Sequence, residues 1–122
     1  MPAGKLNLYI EKGATWHHTL YWQIGEPPVA VDLDGFTARM KIRVPGPNGG
    51  GTEIVELTTE NDRIALETDA EAGRIDLHID ADDTTPLLGT TGVYDLELVN
   101  GEEVTRLVEG SVTLSPEATR TP

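Results

Sequence analysis

GFTARMKIRV, residues 35–44, decides the fold. Phe36, Ala38, Met40, Ile42 and Val44 take every second position, and Thr37, Arg39, Lys41 and Arg43 fill the positions between. Successive side chains leave opposite faces of a strand, so one face here is apolar and the other basic. Strict alternation over this length marks a half-buried β-strand. The same period runs through much of the chain. Leu6, Leu8 and Ile10 share a face in KLNLYI (5–10). Trp16, His18, Leu20 and Trp22 share one in TWHHTLYWQ (15–23), with Thr15, His17, Thr19, Tyr21 and Gln23 on the other. In RIDLHID (74–80), Ile75, Leu77 and Ile79 alternate with Arg74, Asp76, His78 and Asp80.

The breaks between these runs carry turn chemistry. PGPNGGG (45–51) combines prolines that fix φ with glycines that permit positive φ, and predicts a mobile hairpin loop between strands ending near Val44 and starting near Glu53. GEPPVAVDLDG (25–35) is a second turn-rich stretch. Asn61-Asp62 and residues 69–73 separate three further runs. Asn100-Gly101 predicts a type I′ hairpin turn, which needs positive φ at both central residues. ADDTTPLL (81–88) fits one short turn or 3₁₀ piece capped by an Asp. No segment has sustained helical periodicity, and there is no internal repeat. Together these features predict an all-β, immunoglobulin-like antiparallel β-sandwich of about seven to nine short strands. Residues 1–14 form an N-terminal segment and first strand, 15–115 the sandwich, and 116–122 a tail without apolar pattern. Tyr94 opens a strand after an Asp-rich turn. It reads either as a tyrosine corner, its hydroxyl bonding back to that turn, or as an ordinary half-buried strand tyrosine.

The chain of 122 residues has the size of a single domain and contains no cysteine, which excludes disulfides, thiolate metal sites and cysteine nucleophiles. Nine Lys and Arg against twenty-one Asp and Glu give a net charge of −12. Such a surface repels nucleic acid and anionic membranes and favours solubility. No apolar run approaches the ~20 residues of a membrane helix. MPAGKLNLYIEKG lacks the apolar core and cleavage pattern of a signal peptide, so the expected place of work is the cytosol or a particle assembled there.

Several constellations carry ligand-type residues. Asp76, His78, Asp80 and Asp82 alternate in GRIDLHIDADD (73–83), but the apolar trio between them claims the core and leaves the polar set on a wet face. Asp76 and His78 supply two metal ligands, whereas a closed or catalytic site needs three or four, and the others would have to come from neighbouring strands. DADD (80–83) fails the calcium-loop pattern, with Thr85 and Thr91 where Gly and Glu are required. His17 and His18 point to opposite faces and do not chelate one ion together. No nucleophile elbow or phosphate-cradling loop is present. The reading is therefore a protein without catalytic residues, metal or cofactor. Two surfaces remain as candidates for contact: the aromatic group Trp16, Tyr21 and Trp22, and the basic strip Arg39, Lys41 and Arg43. One Trp suits the core, and an exposed one would be an interface hot spot. The strip either pairs across strands with acids such as Glu53 and Glu56 or docks on an acidic neighbour.

Read in order, KLNLYIEKGATWHHTLYW, VDLDGFTARMKIR, IVELTTENDRIAL, GRIDLHIDADDT and GVYDLELVNGEEVTRLVEGSVTLSPEATR form a series that resembles small virion proteins of tailed bacteriophages. It is especially similar to a β-sandwich domain of baseplate and tail-attachment proteins. In that group a Gly-(Ala/Asp)-Thr turn precedes an aromatic strand. A VDLTGYTARMQIR-like strand follows, then a G-x-Y-x-x-x-L strand and a final G-x-V-x-V-x-x-E strand. The matching positions here are Gly13-Ala14-Thr15, Val31 to Arg43, Gly92 to Leu98 and Gly110 to Glu117, with Asp34 where Thr is usual. The resemblance implies a non-enzymatic structural protein of the virion, made in the host cytoplasm. It implies a tail, baseplate or neck adaptor present in several copies in a symmetric assembly. Such a protein would dock on other phage proteins through its sheet edges, Met1 to Gly13 and the C-terminal tail. The alternative in the same class is a capsid decoration protein. The alternative in another class, raised by the aromatic strand, is a carbohydrate-binding module.

Overall fold

The basic alternating stretch becomes strand β6 (Thr37–Arg43), and its burial follows the sequence pattern. Ala38, Met40 and Ile42 are buried, while Thr37, Arg39 and Lys41 are exposed. A computed structural model of the chain describes residues 3–67 and 73–116. The other strands are β1 (Gly4–Lys5), β2 (Leu8–Glu11), β3 (Trp16–Tyr21), β4 (Gln23–Ile24), β5 (Val29–Ala30), β7 (Glu53–Thr58), β8 (Ile64–Leu66), β9 (Arg74–Ile79), β10 (Thr91–Asn100) and β11 (Glu103–Ser115). One helical turn, α1 (Ala81–Thr84), lies between β9 and β10. Of the tail expected at 116–122, all but Pro116 lies outside the described residues.

The larger sheet has the order β1-β11-β10-β6-β7, with β2 also on β11. The second sheet is β3-β9-β8, and β4-β5 is a separate two-stranded arm. A single apolar core joins the two sheets. It takes Met40, Leu57, Leu96 and Leu114 from the first and Trp16, Ile64, Ile75 and Leu77 from the second. The chain is thus an all-β, sandwich-like protein. The antiparallel expectation needs one correction. β1 and β2 run parallel to β11, with Lys5 opposite Glu109 and Ile10 opposite Leu114. Parallel pairing needs no tight turn, so nothing local in the sequence announces it.

KLNLYI is accordingly not one strand. It breaks between β1 and β2 because Leu6 crosses Gly110. A Cβ on Gly110 would stand 2.1 Å from the Leu6 carbonyl oxygen, so only glycine admits this approach. The Leu6 N–H donates to the Glu109 carbonyl at 3.0 Å, and the Asn7 side-chain oxygen accepts from the Ser111 N–H at 3.2 Å. The Tyr94 hydroxyl donates to the Leu6 carbonyl at 2.7 Å. Tyr94 is therefore a tether for the first strands, and its hydroxyl does not bond back to the preceding turn.

Two turns also differ from expectation. Asn100 is a strand residue opposite Glu103, so the hairpin loop is Gly101-Glu102. Gly101 has φ of 63°, while neither Asn100 nor Glu102 has positive φ; that is the pattern of a type II′ turn with glycine first. The loop at 45–51 does join β6 to β7, and it is tied at its base by Val44 N–H to Thr52 O (2.9 Å) and Gly51 N–H to Val44 O (2.6 Å). Asn61-Asp62 does separate two strands, carrying the chain from β7 in one sheet to β8 in the other. At α1, Asp80 is the N-cap residue but makes no side-chain capping bond, because its carboxylate is engaged by His78. Buried Thr84 holds the helical turn to the β2–β3 connection, accepting from the Gly13 N–H at 3.0 Å and donating to the Ala14 carbonyl at 2.9 Å.

Candidate docking face

The outer face of the larger sheet collects charge from strands far apart in sequence. Cross-strand neighbours on one face stand close enough to interact. One row across the sheet reads Lys5, Glu109, Asp95, Lys41 and Glu56. The next reads Arg106, Glu97, Arg39 and Thr58. β11 carries one extra residue, Leu107, opposite the Leu96–Glu97 step. This bulge brings Arg106 onto the same outer face as Glu109. Together with the 45–51 loop these residues enclose a cleft of about 720 Å³.

Each cation of the cleft is held in place. Lys5 pairs with Glu109, and Arg39 Nε with Glu97 at 2.8 Å. Lys41 Nζ lies 3.4 Å from Glu53 and 4.0 Å from Glu56. Arg106 reaches Asp95 and Glu109, both at 3.5 Å. Arg43 differs: it donates to the Gly51 carbonyl at 3.1 Å and has no carboxylate partner among the described residues. The basic strip therefore does pair across strands, as one reading of the sequence has it, while Arg43 at the loop end makes no direct ion pair among the described residues and acts on Asp95 only through its field. Five of the chain's nine Lys and Arg line this cleft, with four carboxylates beside them and Glu53 on Lys41, so positive charge gathers here in a chain of net charge −12.

Two carboxylates report the electrostatics. Burial pushes the Asp95 carboxyl above the usual Asp range, against the pull of Arg106. The Lys5 hydrogen bond and charge hold the Glu109 carboxyl below the usual Glu range. A raised carboxyl favours the neutral form in the fold, so its ionisation opposes folding as the pH rises through its pKa. Asp95→Asn is therefore expected to raise the melting temperature near neutral pH. The gain should vanish as the pH falls and wild-type Asp95 protonates. Melting curves across the acidic range check this, and a lowered neutral-pH melting temperature contradicts it.

The aromatic candidates separate. Trp16 is 7% exposed, and its indole N–H donates to the Tyr9 carbonyl at 2.9 Å. It is a core residue and offers no contact surface, because its large apolar body fills the space between the sheets. Trp22 is half-buried, edge-on to Phe36 at 5.6 Å. Tyr21 is exposed, beside the arm that carries exposed Ile24 and Val29.

In GRIDLHIDADD the polar residues do face outward, and they compensate one another. Asp76 accepts from Thr19 Oγ1 at 2.9 Å and from Arg74 Nε at 3.2 Å. Asp83 pairs with Arg63 at 3.2 Å. His78 lies 2.6 Å from Asp80 and, across the strand pair, 3.1 Å from His17. The sequence view of His17 and His18 as divergent holds, but it missed that His17 meets His78.

No family model matches the chain, and no curated protein is detectably similar to it. Lys5, Asp95, Glu97, Arg106 and Glu109 were not marked by the sequence. The alternation in GVYDLELV places Asp95 and Glu97 opposite Leu96 and Leu98. The 100–101 hairpin signal places β10 beside β11, but that β10 also lies beside β6 is a long-range fact which no local pattern carries.

Proposed function

We propose that the protein is a non-enzymatic docking module and a structural protein of a tailed-bacteriophage particle, a tail, baseplate or neck adaptor. The observation that carries the docking role is the concentration of five cations in one cleft of a strongly acidic protein. Fixed pairs present a set charge pattern, and such patterns govern partner choice and encounter rate more than raw affinity. Arg43 is the cation left to a partner's carboxylate. The phage setting rests on the order of the strand motifs. β3, the terminal strand of the second sheet, offers a second contact, since an edge strand is a site for strand addition. Gly4–Glu11 is already paired to β11, so the N-terminal segment contributes as a sheet edge, not as a free arm.

Mass spectrometry of purified virions tests the setting, and absence of the chain overturns it. A copy number matching a neck or tail ring favours the adaptor, and one matching the capsid lattice favours decoration. Arg43→Ala with Lys41→Ala should reduce incorporation, with little change in melting temperature because exposed pairs contribute only about 0.2–1 kcal/mol. Undiminished incorporation would remove the cleft from the docking role. A sugar-binding role would need tryptophans open to stacking, whereas Trp16 is buried and Trp22 is half-buried against Phe36.

A further inference from the structure

The outer face of the second sheet carries a pair of imidazoles. His17 of β3 stands opposite His78 of β9. The His78 N–H bonds to the Arg63 carbonyl, on the β8 side. His78 therefore turns its backbone groups away from β3, which makes the His17–His78 pair a non-hydrogen-bonded one. Such pairs bring side chains closest, with Cα atoms about 4.5 Å apart. The ring centroids are 4.6 Å apart, and the two Nδ1 atoms face each other at 3.1 Å.

The second ring nitrogen of His78 fixes what its Nδ1 can do. Nε2 lies 2.6 Å from Asp80 Oδ1. A carboxylate accepts and never donates when ionised, so Nε2 carries the proton and Nδ1 of neutral His78 presents a lone pair. A carboxylate behind the distal nitrogen is the usual support of a metal-bound histidine. Imidazole–metal bonds of about 2.0–2.1 Å drawn from two nitrogens 3.1 Å apart meet at an angle of roughly 100°. That angle suits both tetragonal and tetrahedral ions.

We propose that His17 and His78 form a two-nitrogen chelate for a divalent transition-metal ion, with Asp80 as the positioning residue for His78. No group of three or more His, Asp or Glu set to hold a metal occurs among the described residues. The remaining positions on the ion are filled by water. Asp76, two residues before His78 on the same face, is engaged by Thr19 and Arg74. Nitrogen ligands without thiolate favour Cu²⁺ over Ni²⁺ and Zn²⁺.

Calorimetric titration of the full chain with Cu²⁺, Ni²⁺ and Zn²⁺ salts, followed in parallel by imidazole ¹⁵N NMR, tests the site. The expected result is one saturable ion per chain, tightest for Cu²⁺, with Zn²⁺ shifting Nδ1 of His17 and His78 and leaving His18 unmoved. His17→Gln and His78→Gln should each weaken binding at least ~10-fold, and Asp80→Asn by about 10–100-fold. His18→Gln, on the opposite face, should bind as wild type. Binding that survives His17→Gln, or the lack of any saturable binding at millimolar metal, overturns the proposal. Melting curves of the variants without metal separate ligand loss from misfolding.

Discussion

Gly110→Ala is expected to unseat the first two strands and to cost about 3 kcal/mol, the upper end of the usual range for overpacking. The atoms that an added Cβ meets are backbone: the Leu6 carbonyl oxygen at 2.1 Å and its carbon at 2.8 Å. They cannot move aside alone, because Leu6 is bonded to Glu109 and Tyr94, and Asn7 to Ser111. Urea unfolding should show a lowered midpoint, and amide exchange should accelerate at Leu6 through Ile10. Native protection there would refute the account. Tyr94→Phe separates the tether from the crowding. It leaves the Leu6 carbonyl without its hydroxyl partner, at a cost of about 1–3 kcal/mol if water does not replace it. It also changes the alkaline limb of stability. Burial pushes the Tyr94 hydroxyl from 10.0 up to about 12. The fold therefore favours the protonated form, and this contribution is complete below pH 10.0 and is lost as the pH rises through about 12. The phenylalanine variant has no such loss at this position.

Leu96→Ala should be comparably severe. Leu96 is fully buried in β10, the strand flanked by β11 and β6, and stands opposite Val108 on one side and Met40 on the other. All three point into the core between the sheets, so truncation opens a cavity that neither sheet can close by moving one strand. Leu→Ala at such sites costs roughly 2–5 kcal/mol, against a total of about 5–15 kcal/mol for a domain. Thermal unfolding measures it directly. A change under about 0.5 kcal/mol, within the scatter of surface substitutions, would mean that the core repacks around the gap.

What could be read in the sequence was the set of properties with a period of two. Burial in β6, β9 and β10 follows the alternation residue by residue, and so does the wet face of GRIDLHID. What could not be read was which strands distant in sequence lie side by side. The Lys41 pairs with Glu53 and Glu56 were within reach because β6 and β7 are joined by one loop. The Arg39–Glu97 pair was not, since β6 and β10 are 58 residues apart at that contact. His17 and His78 are 61 apart, and their meeting depends on the β3–β9 register. The Leu107 bulge, which delivers Arg106 to the cleft, has no sequence mark of its own. Trp16 and Trp22 share a face by period, yet Trp16 is buried while Trp22, just past the end of β3 where its N–H meets the Gly73 carbonyl, is half-buried against Phe36.

The parallel pairing of β2 with β11 has a mechanical consequence. Tension applied to the two ends of this chain pulls β2 and β11 in opposite directions along their common axis. Their backbone bonds, closed by Lys12 N–H to Ser115 O at 2.9 Å, are then loaded together in shear and do not unzip one at a time. Tyr94 and Gly110 sit at the upstream end of that seam and work as a detent against sliding.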